Sequence, residues 1–206
     1  MREPMMNVPP ATAALAAVIL LVHGIREFLS DRVNLALDLV FGVVPLRYGH
    51  LPFDWPAVVA PVTYAFLHGG WLHLGMNVVT LLAFGAGVER LIGARRMLVG
   101  FLVTSLIAAA AHVVAYDGDL MPMIGASGGI SGLFAIAIIL MRRQGRIEGS
   151  LTALALVWIG IAVVTGLVGV PGDDTVQVAW VAHVGGFVAG LGIASFLTPP
   201  RERRWY

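Results

Sequence analysis

Two residues with reactive side chains lie in glycine-rich segments that are otherwise apolar. Ser127 lies in Gly-Ala-Ser-Gly-Gly at residues 125–129, and His183 lies in Ala-His-Val-Gly-Gly at residues 182–186. Polar groups at membrane depth are costly, which favours a functional role for them. Together they can act as a nucleophile and its general base. Taken singly, the serine is also typical of helix packing, and the histidine of a hydrogen bond between helices.

Glycines spaced four residues apart follow each of these two residues. Such small residues let two membrane helices approach closely. Close approach is needed because the short serine side chain must bring its oxygen ~2.6–3.2 Å from the imidazole nitrogen. The glycines that we expect to pack near the site are Gly125, Gly128, Gly132, Gly186 and Gly190.

An earlier apolar segment carries candidates for an oxyanion hole. His73 and Asn77 are four residues apart and therefore share one helix face. Both side chains can donate hydrogen bonds to a tetrahedral oxyanion. The alternative for Asn77 is a hydrogen bond between two helices. His68 lies nearer the outer boundary, and we assign it a structural role.

The chain favours a Ser-His dyad over a triad, because no carboxylate is expected at the depth of His183. A metal site is disfavoured as well, because no His-Glu-x-x-His motif occurs and the six histidines do not pair with acids at ligand spacing. The absence of cysteine excludes thiolate ligands and cysteine nucleophiles. We expect no cofactor.

These residues must be positioned by membrane helices. Of the 206 residues, 58% are hydrophobic and 12% are charged, against about 25% charged in a soluble domain. The net charge of +1 gives no basic surface for nucleic acid. Six apolar runs approach the ~20 residues needed to cross a bilayer, which predicts an all-α bundle of six transmembrane helices in one domain, residues 1–206. The predicted spans are residues 11–25, 72–88, 97–115, 127–141, 151–168 and 178–197, with an outer loop at 30–61.

Arginine placement predicts the orientation of this bundle. Ten arginines fall on one side of the six-span topology, and only Arg26, Arg32 and Arg47 fall on the other. By the positive-inside rule, both termini then face the cytoplasm. At 1.5 Å per residue, Ser127 and His183 both lie about 22 Å above the inner boundary, several ångströms below the outer surface. The preceding residues 120–126 must therefore descend in irregular form, lining a water-filled cavity.

The three motifs together resemble the rhomboid family of intramembrane serine proteases. The resemblance rests on His73-xxx-Asn77, on residues 125–128 and on His183-xx-Gly186-xxx-Gly190, which occur in that order on spans two, four and six. It implies Ser127 as the nucleophile, His183 as the base and an oxyanion hole formed by His73, Asn77 and the Ser127 backbone. In the family, Glu89 matches a structural position near the loop after span one.

Two positions depart from the family pattern. Many members have an aromatic residue four positions after the nucleophile, packing against the base, where this chain has Ser131. Many also have a Trp-Arg pair nine residues before the first histidine of span two, where this chain has Val59 and Ala60. The orientation of His183 and the anchoring of the outer loop must then depend on other contacts.

The function that follows is cleavage of a peptide bond in or near the outer end of a substrate's transmembrane helix, in the cytoplasmic membrane. Such a helix must unwind locally, so helix-weakening residues in the substrate should favour cleavage. The segment 166–178 is a candidate lid. One alternative is an inactive family member that binds membrane proteins, and another is a small transporter, which the common depth of the polar residues disfavours. The oligomeric state is not predicted by the sequence.

Overall fold

In the computed structural model, described for residues 8–52, 54–148, 150–168 and 179–197, each predicted span contains a helix. Within these described ranges, two short 3₁₀ turns, Pro45–Tyr48 and Tyr64–Phe66, lie among eight α-helices. The helices are α1 (Pro10–Arg26), α2 (Asp31–Phe41), α3 (Trp55–Thr63), α4 (Trp71–Ile92), α5 (Ala94–Ala115), α6 (Ser127–Arg143), α7 (Leu151–Val168) and α8 (Trp180–Leu197). The described residues form no β-strand beyond one isolated pairing of Val43 with Met123.

Three of these helices, α4, α5 and α8, are long and apolar enough to cross a membrane. Shorter apolar helices cover Pro10–Arg26, Trp55–Phe66 and Leu151–Val164. The all-helical membrane fold is therefore confirmed. The number of six spanning helices stays a prediction, because several of the helices are shorter than the ~20 residues that a perpendicular crossing needs.

The segment 30–61, expected as a loop, contains α2 and most of α3. Pro61 lies inside α3, near the end of that helix. Pro45 and Pro56 do not prevent helix formation, because they lie in first turns, where a proline's missing N–H has no intrahelical partner to lose. Pro56 occupies such a position in α3, and the Asp54 side chain caps the same helix by accepting from Ala57 N at 3.1 Å.

The contacts of Glu89 differ from the position near the loop after span one that the family resemblance implies. Its carboxylate contacts the start of α1 and not the loop after that helix, which corrects the expectation from the family resemblance. It accepts hydrogen bonds from Ala11 N at 3.0 Å, from Thr12 N at 2.7 Å and from Thr12 Oγ1 at 2.7 Å. The preceding Pro9 offers α1 no side-chain cap. Glu89 therefore satisfies free N–H groups of that helix and places a negative charge at its positive end.

Helix α6 lies at the centre of the bundle, packed against α4, α5 and α8. Its glycines make this packing possible. A Cβ added at Gly128 would lie 2.6 Å from Ala108 Cβ of α5, and one added at Gly132 would overlap the Thr104 side chain. Because the α6 backbone packs directly on α5 side chains and on the α8 backbone, the residues at the start of α6 are held in a fixed position relative to α5 and α8.

Candidate active site

Ser127 is the first residue of α6, directly after a segment without helix. Residues 119–126 lead to it without forming a helix, which is the irregular form that the sequence predicts for 120–126. Gly125 has a backbone φ angle of 117°, which residues other than glycine rarely adopt. Its N–H donates to Tyr64 O at 2.9 Å. The segment is therefore anchored immediately before the serine.

The structure brings Ser127 and His183 into direct contact. His183 Nε2 of α8 lies 2.6 Å from Ser127 Oγ, a hydrogen-bond distance suited to proton transfer. Both side chains are only partly buried. With the imidazole neutral and Nε2 unprotonated, the hydroxyl donates to it, and the base is poised to take the proton.

Close packing of α8 fixes the backbone that carries His183. A Cβ added at Gly186 would overlap the carbonyl oxygen of Gly128 and lie 2.8 Å from its carbonyl carbon. A Cβ added at Gly190 would likewise collide with Gly132. On the other face of α8, a Cβ at Gly185 would lie 2.6 Å from Ala111 Cβ of α5. These contacts hold the base in place, although Ser131 replaces the family's aromatic residue.

His73 lies beside the nucleophile. A Cβ added at Gly125 would lie 2.7 Å from His73 Nε2 and 3.9 Å from Ser127 Oγ. The imidazole therefore fills the space that a side chain at residue 125 would need. On its other side, the ring of His68 meets that of His73 edge to face, with centroids 5.1 Å apart. His68 is 2% exposed, so it is a buried residue next to the site.

The amide of Asn77 makes a hydrogen bond within its own helix, which the prediction of an oxyanion donor did not include. The residue is 4% exposed, and its Nδ2 donates to His73 O of the same helix at 2.8 Å. Its Oδ1 has no hydrogen-bond partner in the described part of the chain. The amide group thus contacts His73, and donation to an oxyanion requires one Nδ2 proton to point toward Ser127.

The start of α6 supplies further donors. The first N–H groups of a helix have no intrahelical partner, and here they belong to Ser127 and the two glycines that follow. Gly128 and Gly129 place no side chain of their own over these N–H groups, and both residues are buried against α5. Together with the positive end of the helix dipole, they suit a developing negative charge near Ser127 Oγ.

Two buried polar residues near the site have no signal in the sequence. Tyr64 is 1% exposed, donates its hydroxyl to Ser105 O at 2.8 Å and accepts from Gly125 through its carbonyl. Arg26 is 7% exposed, and the sequence places it only on the outer side of the predicted topology. Neither belongs to a motif, and only their long-range partners identify them. The candidate lid falls largely on residues 169–178, outside the described residues.

Known proteins are similar to this chain over most of its length. The family model of the rhomboid domain matches residues 56–200. Rhomboid-type serine protease 2 of Emericella nidulans is 30% identical over 145 residues, which are 69% of this chain and 27% of that protein. Rhomboid-related protein 3 of Homo sapiens is 35% identical over 86 residues, 41% of this chain and 21% of that protein.

A bacterial relative matches over more of its own length. The putative rhomboid protease YdcA of Bacillus subtilis is 23% identical over 153 residues, 74% of this chain and 72% of that protein. The matched regions of the fungal and human relatives are thus minor parts of those proteins.

Proposed function

Because this chain belongs to the rhomboid family, we propose that it is an intramembrane serine protease with Ser127 and His183 as its catalytic dyad. The observation that carries the proposal is the 2.6 Å distance from His183 Nε2 to Ser127 Oγ at the start of α6. A role in helix packing alone does not require an imidazole nitrogen aimed at the serine hydroxyl.

In the proposed reaction, His183 Nε2 takes the hydroxyl proton while Ser127 Oγ attacks the substrate carbonyl carbon. The resulting oxyanion accepts hydrogen bonds from the Ser127 backbone N–H, from His73 and from Asn77. His183 then donates its proton to the leaving amine, and the peptide bond breaks. A water molecule, deprotonated by the same imidazole, hydrolyses the acyl-enzyme and restores the serine.

The proposed substrates are proteins with transmembrane helices, cut in or near the outer end of the helix. A helix hides its carbonyl groups in its own hydrogen bonds, so a substrate that unwinds at Gly or Pro presents a carbonyl more readily. The glycine-lined position of Ser127 favours a small residue at the cleavage point. We place the protein in the cytoplasmic membrane as a single protease domain with both termini inside, on the arginine distribution.

The test uses two serine variants of α6. Ser131 is 1% exposed, and its hydroxyl has no hydrogen-bond partner in the described part of the chain. Ser131→Ala is therefore a matched control that removes a hydroxyl one helical turn after Ser127. Both variants and the original protein are reconstituted in proteoliposomes with a model transmembrane substrate, and are separately treated with a serine-directed phosphonate.

We expect cleavage and covalent labelling by the original protein and by Ser131→Ala, and neither by Ser127→Ala. Turnover or labelling retained in Ser127→Ala would refute the assignment of the nucleophile. A correctly inserted original protein that neither cleaves nor reacts would instead favour the alternative, a family member that binds membrane proteins without cutting them.

A further inference from the structure

Arg26 is a buried cation at the end of α1, on the side of the bundle that carries Ser127. Its side chain is 8% exposed. The Nε atom donates to Asn34 Oδ1 at 3.1 Å, and Nη2 donates to Asp38 Oδ2 at 2.8 Å. The Arg26 carbonyl in turn accepts from Asn34 Nδ2 at 3.1 Å. Because Asn34 and Asp38 are four residues apart, they share one face of α2, and this face is joined to α1.

The third arm of the guanidinium points to the turn before α4. Arg26 Nη1 donates to His68 O at 3.3 Å. His68 packs its ring against His73, the proposed oxyanion donor beside Gly125. Arg26 therefore fixes the backbone of the residue that supports His73.

The far end of α2 is joined to the segment that leads to the nucleophile. Val43 N donates to Met123 O at 3.0 Å, and Met123 N donates to Val43 O at 2.8 Å. At Gly42, an added Cβ would lie 3.0 Å from Ile124 Cγ2 and 3.1 Å from Pro122 Cβ. Movement of α2 would thus move residues 122–124, immediately before Gly125 and Ser127.

From these contacts we infer that Arg26 is a positioning residue, which fixes the position of His73 relative to Ser127. The inference rests on the proposed function, because this relative position matters only if both residues act on one substrate. A misplacement of about 1 Å costs on the order of 10²-fold in rate. Arg26 would also anchor the outer segment, which lacks the family's Trp-Arg pair.

The chemistry of these partners requires an arginine. A planar guanidinium serves an amide oxygen, a carboxylate and a carbonyl in three directions, whereas an ammonium is a compact charge on a flexible stem. Burial raises the pKa of Asp38, and the Arg26 charge opposes this shift. Removing the arginine alone would leave that carboxylate poorly compensated.

The experiment therefore uses two replacements that separate positioning from stability. Arg26→Lys keeps the positive charge beside Asp38 but lacks the planar guanidinium that donates in three directions. The double variant Arg26→Met with Asp38→Leu removes both charges, an exchange that is often neutral or stabilising for a buried pair. Arg32→Lys, at an exposed position of α2, is the matched control.

Each variant is measured in proteoliposomes for kcat and KM on the model substrate, for the phosphonate labelling rate and for its unfolding midpoint in detergent. We expect Arg26→Lys and the double variant to unfold near the original midpoint. We expect kcat and the labelling rate of the folded protein to fall by about 10- to 100-fold, with KM changed less. Arg32→Lys should match the original protein.

Unchanged kcat and labelling rate in the folded fraction of both Arg26 variants would overturn the inference. If both variants lose stability as well, activity is normalised to the folded fraction at low temperature, and normal activity per folded molecule would again overturn it. Failure of the proposed function gives a different result, since the original protein would then show neither cleavage nor labelling.

Discussion

Gly186→Ala should disable the site by adding a single methyl group to α8. The new Cβ would overlap Gly128 O and lie 2.8 Å from Gly128 C, whereas real Cβ atoms essentially never approach other atoms within 3.0 Å. The obstacle is helix backbone, which cannot rotate away as a side chain can. The two helices must therefore separate at the level of Ser127.

The size of the effect follows from the dyad geometry. The distance from His183 Nε2 to Ser127 Oγ is 2.6 Å, and a separation of about 1 Å would take it past the ~3.2 Å limit of catalytic reach. We therefore expect a loss on the order of 10²-fold or more in kcat and in phosphonate labelling. KM should change less, because the altered contact lies within the catalytic pair.

A second glycine on the same helix is the control. An added Cβ at Gly192 meets nothing within 4 Å, so Gly192→Ala should leave the rate unchanged while making the same chemical change. Rates are compared in proteoliposomes after insertion has been verified for each variant. Full activity in correctly inserted Gly186→Ala would show that the glycine contact does not set the dyad distance.

Three further predictions concern Asn77, Glu89 and His68. Asn77→Ala should lower kcat by roughly 10²–10³ with KM little changed if the amide serves the oxyanion; a lower unfolding midpoint with near-normal kcat would remove it from the site. Glu89→Gln should destabilise the protein by about 2 kcal/mol, because hydrogen bonds to a charged acceptor are worth more than neutral ones, and an unchanged unfolding midpoint would contradict this. Burial and the neighbouring His73 lower the pKa of His68 to about 3, below about 6.5 for an unfolded histidine. As the pH falls, the imidazole is protonated in the unfolded chain before it is protonated in the folded protein. The free energy of unfolding therefore decreases from pH ~6.5 toward pH 3, by up to about 1.4 kcal/mol per pH unit. Between pH 6.5 and 5, the original protein should lose about 2 kcal/mol more stability than His68→Phe; equal losses would refute a neutral buried imidazole.

The long apolar helices and the residues of the candidate chemistry could be predicted from the sequence, whereas the helices within 30–61 could not. Apolar runs predict helices in lipid because the chain must satisfy its own backbone hydrogen bonds there. The run after Ala126 indicates a helix that starts at Ser127, as the structure has it. Glycines near Ser127 and His183 favour contact between their two helices, since small residues permit close packing.

The pairing of polar groups over long sequence separations could be seen only in the folded structure. Glu89 contacts Thr12 at the start of α1, and Arg26 reaches His68 O across 42 residues, although neither spacing follows a helical or strand period. Asn77 shares a face with His73, as predicted, but its amide donates to the His73 carbonyl. Periodicity assigns a residue to a face of its own helix. The partner opposite that face depends on how the helices are arranged, which local sequence does not encode.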